Sequence, residues 1–360
     1  MSAKEKVNRW IRPSILAASA YKVPDATGLI KMDAMENPYT WPEDVKQAWV
    51  EELRHIDLNR YPDASAEDLK DCLRTAMGIP PSISILLGNG SDEIIQILAL
   101  AMSQQDNVFL APEPGFVMYR VITEMTGARF IGVPLLNDFS LDRNAMIAAI
   151  EKHQPALVFL AWPNNPTGNL FDQESVLALI EAAPGLVVVD EAYYAYARKS
   201  FMGYLGQYDN LLVMRTMSKL GLAGLRVGVL MGSHDWLDEL EKVRLPYNVS
   251  TLTQKSVDFI CQHFHVLEQQ VSELRQAREK LQASMIKLPN MHVWPSQANF
   301  ILFRVANKNA DAIFSGLRSH GVLVKNLHGS HAMLQDCLRV TVGTEEENRQ
   351  FIEVLTQLVS

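Results

Sequence analysis

Residues 215 to 228, RTMSKLGLAGLRVG, run an apolar strand into two hydroxyl residues, a lysine and a glycine-rich loop. Lys219 follows Thr216 and Ser218, and Arg226 is the one charge in the next seven positions. A lysine among apolar and small neighbours loses hydration, which disfavours the ammonium form and leaves a nucleophilic amine. Such an amine condenses with an aldehyde. The residues that would serve that reaction lie at other strand ends. NGSDE at 89–93 follows ISILLG, NNPTG at 164–168 follows ALVFLAW, and DEAYY at 190–194 completes LVVVD.

Each motif alone has a plainer reading. Ser91 or Asp92 could cap a helix, and Asn, Pro and Gly dominate turns everywhere. Asp190 could cap a strand end, Tyr193 could be a core aromatic, and Lys219 could snorkel to solvent. Taken in order they serve one chemistry. For an aldehyde carried on a phosphorylated pyridine, Asp190 would hold the ring nitrogen protonated. Asn165 and Tyr193 would hold the ring oxygen. Ser91, Thr216, Ser218 and Arg226 would clamp the phosphate, with helped from the free N–H groups of a helix start.

These side chains need a scaffold that gathers strand ends. From about Ser82, short Val/Leu/Ile runs alternate with amphipathic stretches, the pattern of parallel strands covered on both faces. The expected fold is α/β: a large domain with a doubly wound, mostly parallel seven-stranded sheet, plus a smaller α/β domain and an N-terminal arm. The expected boundaries are 1–50 for the arm, packing with the small domain, 51–250 for the large domain and 251–360 for the small one. Residues 251 to 287 carry one long helical period. In such sheets ligands bind beyond the carboxyl ends of the strands, where all four motifs fall.

Composition narrows the class. Of 360 residues, 48% are hydrophobic and 21% charged, enough to bury a large core, and the formal net charge of −8 argues against a nucleic-acid or membrane-surface partner. Cys72, Cys261 and Cys337 have no metal-site spacing, so no metal and no disulfide framework are expected, and a reducing cytoplasm suits them. MSAKEKVNRW lacks the apolar core of a secretory signal.

The series NGSDE, NNPTG, DEAY and SK…GLR resembles the fold-type I pyridoxal-phosphate aminotransferases, and the likeness runs from ENP at 36–38 to LRVTVGT at 338–344. It implies pyridoxal 5′-phosphate as cofactor. Lys219 is then its covalent attachment and proton carrier, Asp190 the partner of the ring nitrogen, and Asn165 and Tyr193 the partners of the ring oxygen. The resemblance assigns the phosphate to Gly90, Ser91, Asp92, Thr216, Ser218 and Arg226, the ring face to Phe116, and the substrate carboxylate to Arg339.

Within the family, DAMENP, NRYPD, ANFILFR and CLRVTVGT resemble the branch acting on histidinol phosphate. That implies a small-molecule amino donor and a 2-oxo acid, converting L-histidinol phosphate and 2-oxoglutarate into imidazole acetol phosphate and L-glutamate. It also implies a homodimer in which Tyr61 reaches the neighbouring site, with Lys325 and Tyr21 at the substrate phosphate. Three departures stand out. Met35 replaces the usual asparagine, Arg226 follows Lys219 by seven positions where eight are common, and Lys325 replaces a frequent arginine. The alternatives are an aromatic amino acid aminotransferase, a threonine-phosphate decarboxylase or, remotely, a non-catalytic regulator. For the last the chain shows neither a recognition helix nor a basic patch.

Overall fold

A computed structural model describes residues 1–20, 23–104 and 106–359. Tyr21 lies outside the described residues. Among the described residues twelve strands form two sheets: β1 Ile30–Met32, β2 Ser84–Asn89, β3 Val108–Glu113, β4 Arg129–Pro134, β5 Leu157–Ala161, β6 Leu186–Asp190, β7 Leu211–Thr216, β8 Val227–Gly232, β9 Met291–Val293, β10 Phe300–Val305, β11 Val322–Asn326 and β12 Cys337–Thr341.

The seven-stranded sheet has the order β2-β8-β7-β6-β5-β3-β4. Its strands are parallel except β8, which runs against both β2 and β7. Every residue of β5, β6 and β7 is buried. Helices cover both faces, so no alternation of polar and apolar positions is needed, and the sequence reads as unbroken apolar runs. The chain passes from β3 outward to β4, then returns to β5 on the other side of β3. The crossover direction therefore reverses between β3 and β5, and a crevice opens at their carboxyl ends.

The second sheet has the order β1-β11-β12-β10-β9. Its edge strand comes from the N-terminal arm, with Ile30 to Met32 lying parallel to Val322 to Val324. Helices Phe264–Ile286 and Ala310–Ser319 pack on this sheet, and Glu345–Val359 packs against both of them and through Phe351 on Phe303 of β10. Among the described residues no helix is long and apolar enough to cross a membrane.

Two expectations need correction. The helical period over 251–287 is two helices, Thr251–Gln262 and Phe264–Ile286, parted at His263. The His263 ring lies on the Phe259 ring, and its Nδ1 sits 3.1 Å from the Phe259 carbonyl, the acceptor that a continuing helix would give to the His263 N–H. That N–H turns to Ile260 O instead, at 3.0 Å. The cysteines also differ from expectation. Cys72 and Cys261 form a disulfide between helices Glu67–Met77 and Thr251–Gln262, with Cα atoms 6.0 Å apart. Spacing could not reveal it, since 189 residues separate the pair and only helix packing brings them together. Cys337 is a buried free thiol.

Candidate functional site

The carboxyl ends of β5, β6 and β7 open on one cavity. It is lined by Asn165, Asp190, Tyr193, Thr216, Ser218 and Lys219, with Ser91, Asp92, Phe116 and Arg226 closing it. β7 stops at Thr216, and a single 3-10 turn, Ser218–Leu220, carries Lys219 over the sheet edge. Its Nζ donates to Ala34 O at 3.1 Å, a backbone group of the arm. Burial, reinforced by the Arg339 charge, pulls the lysine amine down to about 8. Near-neutral solution therefore holds a sizeable neutral fraction, as a nucleophile requires.

Asp190 ends β6 and is 5% exposed. Burial raises its carboxyl to about 6, offset in part by two donors. Tyr119 Oη donates to Oδ2 at 2.6 Å and the Ala192 N–H to Oδ1 at 3.0 Å. Tyr119 is the residue that motif reading missed. It lies three positions after Phe116, stacks flat on Phe159 and meets Phe116 edge-on. The signal available was a second aromatic one helical turn from the first. Next in the chain, Glu191 is fully buried and ion-paired to Arg215 at 3.0 Å, and the Arg215 guanidinium also lies over Tyr194. This pair ties the turn after β6 to β7, fixing the spacing between Asp190 and the lysine segment.

The far end of the cavity is built for an anion. Because β8 runs antiparallel, its first residue faces the last of β2, with Asn89 opposite Val227, while Thr216 faces Gly228. Arg226 thus meets the hydroxyls of β7 and the turn after β2. Its NH1 donates to Ser218 Oγ at 3.2 Å, and Ser218 Oγ lies 3.0 Å from Thr216 Oγ1. Arg226 manages this through a left-handed backbone, φ 53°. Gly90, at φ 80°, makes the room: a Cβ there would stand 2.4 Å from Arg226 NH2. Helix Ser91–Met102 begins beside the guanidinium without a side-chain cap, so its first N–H groups and its dipole face the cavity. Asp92 is 3.8 Å from Arg226 and supplies a counter-charge.

A third cation comes from the smaller sheet. Arg339, buried on β12, donates from NH1 to Asn165 Oδ1 at 2.5 Å and from NH2 to Asp33 O at 3.0 Å. Asn165 Nδ2 in turn donates to Tyr193 Oη at 3.3 Å. Lys325 of β11 stands directly opposite Arg339 in the ladder, so two cations share one face of the sheet. Met35 reaches the cavity wall from the arm at φ 55°, its N–H donating to Thr341 Oγ1. Arg339, Lys325 and Tyr61 are not among the residues lining the cavity, and of these Tyr61 stands apart. It is 81% exposed and stacked on Tyr247.

Residues 27–355 match the family described as Aminotransferase class I and II. The chain is 53% identical to histidinol-phosphate aminotransferase 2 of Nitrosococcus oceani, covering 98% of each chain. It is 48% identical to the histidinol-phosphate aminotransferase of Chromobacterium violaceum, again over 98% of each. Among solved structures, the histidinol-phosphate aminotransferase of Sinorhizobium meliloti in complex with pyridoxal-5′-phosphate superposes with a TM-score of 0.87 at 23% identity. That match covers 97% of each chain, a likeness of fold.

Proposed function

The chain belongs to the class I and II aminotransferases, and from that premise we propose that it transfers the amino group of L-histidinol phosphate to 2-oxoglutarate. The products are imidazole acetol phosphate and L-glutamate, in histidine biosynthesis, with pyridoxal 5′-phosphate as cofactor. The residues fit that cofactor. The space kept open by Gly90 beside Arg226, Ser218 and the uncapped helix start suits a phosphate. The buried Asp190 carboxylate suits a protonated ring nitrogen, Asn165 and Tyr193 suit the ring oxygen, and Phe116 suits the ring face.

Bound pyridoxal phosphate supplies an aldehyde for the amine and a ring that accepts the electrons released at the donor's Cα. The chain's own side chains do the rest. Lys219 would hold the aldehyde and, freed, would take the proton from the donor's Cα, the burial that lowers its pKa favouring the neutral amine. Asp190 would hold the proton on the ring nitrogen. Tyr119 and Ala192 orient that carboxylate by donating to both oxygens. Arg339 binds the carboxylate of glutamate in the half-reaction where glutamate is the amine.

The observation that carries the substrate assignment is the register of Lys325 opposite Arg339. Two cations on one face of the sheet suit the two charges of a phosphate dianion. An aromatic amino acid brings one carboxylate and needs only the arginine. The test is a single-turnover mixing experiment on the yellow holoenzyme. Histidinol phosphate is expected to convert the cofactor absorbance within the dead time of manual mixing, while phenylalanine and threonine phosphate react far more slowly. Faster conversion by either of those would reverse the assignment. Lys325→Ala is expected to raise KM for histidinol phosphate at least tenfold and leave glutamate within about twofold. The protein works, on this reading, as a cytoplasmic homodimer in which the exposed Tyr61 enters the neighbouring site.

A further inference from the structure

Behind the turn that carries Lys219 lies a second cavity of about 220 Å³. Apolar side chains face each other across part of it, Met77, Tyr194 and Leu220 on one side and Phe264, Leu267 and Val271 of helix Phe264–Ile286 on the other. Arg198 and Arg275 also line it, with Glu268. Arg198 and Glu268 are exposed, whereas Arg275 is half-buried.

Neither guanidinium has a hydrogen-bonded or ion-paired partner among the described residues, and the Arg275 Nε is sealed from solvent without an acceptor. Arginine in such a setting is normally paired, because an enclosed donor without an acceptor costs its full desolvation. The surroundings add to the cost. Arg198 and the buried Arg278 both lie within electrostatic reach of Arg275, opposed by Glu279, while the exposed Glu268 lines the same cavity. Burial and the neighbouring Arg198 lower the Arg275 pKa, and Glu279 offsets them in part.

We propose that this cavity binds a small organic monocarboxylate, its carboxylate held by Arg275 and Arg198 and its apolar body against Phe264, Leu267 and Val271. Guanidinium forks match a carboxylate's two oxygens. The apolar walls favour a hydrocarbon or aromatic body over a compact oxyanion, and Glu268 disfavours a second negative charge. The site is separate from the one holding Lys219, but it touches the same segments. Leu220 directly follows Lys219 and Tyr194 directly follows Tyr193, so an occupant bears on the backbone that aims both side chains. Asn37 spans the two regions, donating to Leu220 O at 3.2 Å and to Gln270 Oε1, beside Val271, at 2.9 Å.

The test is calorimetric titration of the holoenzyme with phenylacetate as probe and inorganic phosphate as a parallel arm. Arg339→Gln serves as the background, so that carboxylate binding at the substrate site is suppressed. Phenylacetate is expected to bind once per chain in that background. Adding Arg275→Gln or Arg198→Gln is expected to weaken it at least about tenfold, the loss of a charge-assisted contact. Val271→Trp, which fills the cavity and leaves every charge in place, is expected to abolish it. The single variants Arg275→Gln and Val271→Trp, made in the otherwise unchanged chain, report folding through their turnover. Four results would each overturn the proposal: no heat at millimolar phenylacetate, binding that vanishes with Arg339→Gln alone, binding indifferent to Arg275→Gln and Val271→Trp, or tighter binding of phosphate than of phenylacetate.

Discussion

Asp190 sets a cost that the cofactor is placed to offset, and Asp190→Asn measures it. In the folded chain, without cofactor, burial holds this carboxyl near 6 against an ordinary value of 3.8. The folded state therefore binds the proton more tightly than the unfolded one. Its contribution to stability is full below pH 3.8, declines as pH rises through the interval up to about 6, and is flat above that. At 1.36 kcal/mol per pH unit, the whole interval corresponds to about 3 kcal/mol, of which about 2 to 3 falls between pH 4 and pH 8. Asparagine has the same shape and cannot ionise. Its Oδ1 can still accept from Tyr119, while the Ala192 N–H loses its acceptor at about 1 kcal/mol. Cofactor-free Asp190→Asn is thus expected to be about 1 to 2 kcal/mol more stable than the parent at pH 8 and no more stable at pH 4. Urea unfolding of both proteins at the two pH values, followed by tryptophan fluorescence, gives the double difference, in which every other titrating group cancels. Parallel pH dependences for the two proteins would refute the reasoning, because they would mean that Asp190 costs the fold nothing. The same variant is expected to be catalytically crippled, since asparagine cannot hold a ring nitrogen protonated.

Other outcomes follow from the same geometry. Lys219, with its amine near 8, is expected to be the first lysine acylated when cofactor-free protein meets limiting reagent at pH 8. Peptide mapping that finds uniform labelling contradicts this. Gly90→Ala puts a Cβ 2.4 Å from Arg226 NH2 at a backbone φ of 80°. It is expected to weaken pyridoxal phosphate at least tenfold in a fluorescence titration, with little effect on the substrate KM of the saturated enzyme. Met35→Asn is expected to lower stability by about 1 to 2 kcal/mol in chemical denaturation, because the side chain is buried in the core and the left-handed backbone that asparagine tolerates offsets only part of that loss.

The large sheet was legible because its central strands are buried on both faces and so appear as unbroken apolar runs. The convergence of strand ends was legible because polar residues at the close of such runs have few other uses: Asn165, Asp190 and Lys219 line one cavity. What escaped was whatever depends on tertiary contact alone. Tyr119 sits in an ordinary amphipathic helix, and only the stacking on Phe159 turns its hydroxyl towards Asp190. The helix break at His263 carries no Pro or Gly, because it is made by a side chain capturing a backbone acceptor. The Cys72–Cys261 bridge depends on two helices meeting across 189 residues. The arm's strand is three residues long, too short for periodicity to register.

On the proposed reading, the cofactor's tail and the substrate's anion fall to different sheets. Gly90, Ser218 and Arg226 belong to the β2–β8–β7 edge, and Arg339 and Lys325 to β12 and β11, with the Arg339–Asn165 bond spanning the two. Mutations that retune which donor is accepted can therefore accumulate in one half of the chain while coenzyme retention stays untouched in the other. Such a separation lets a lineage change its diet without first losing its catalyst.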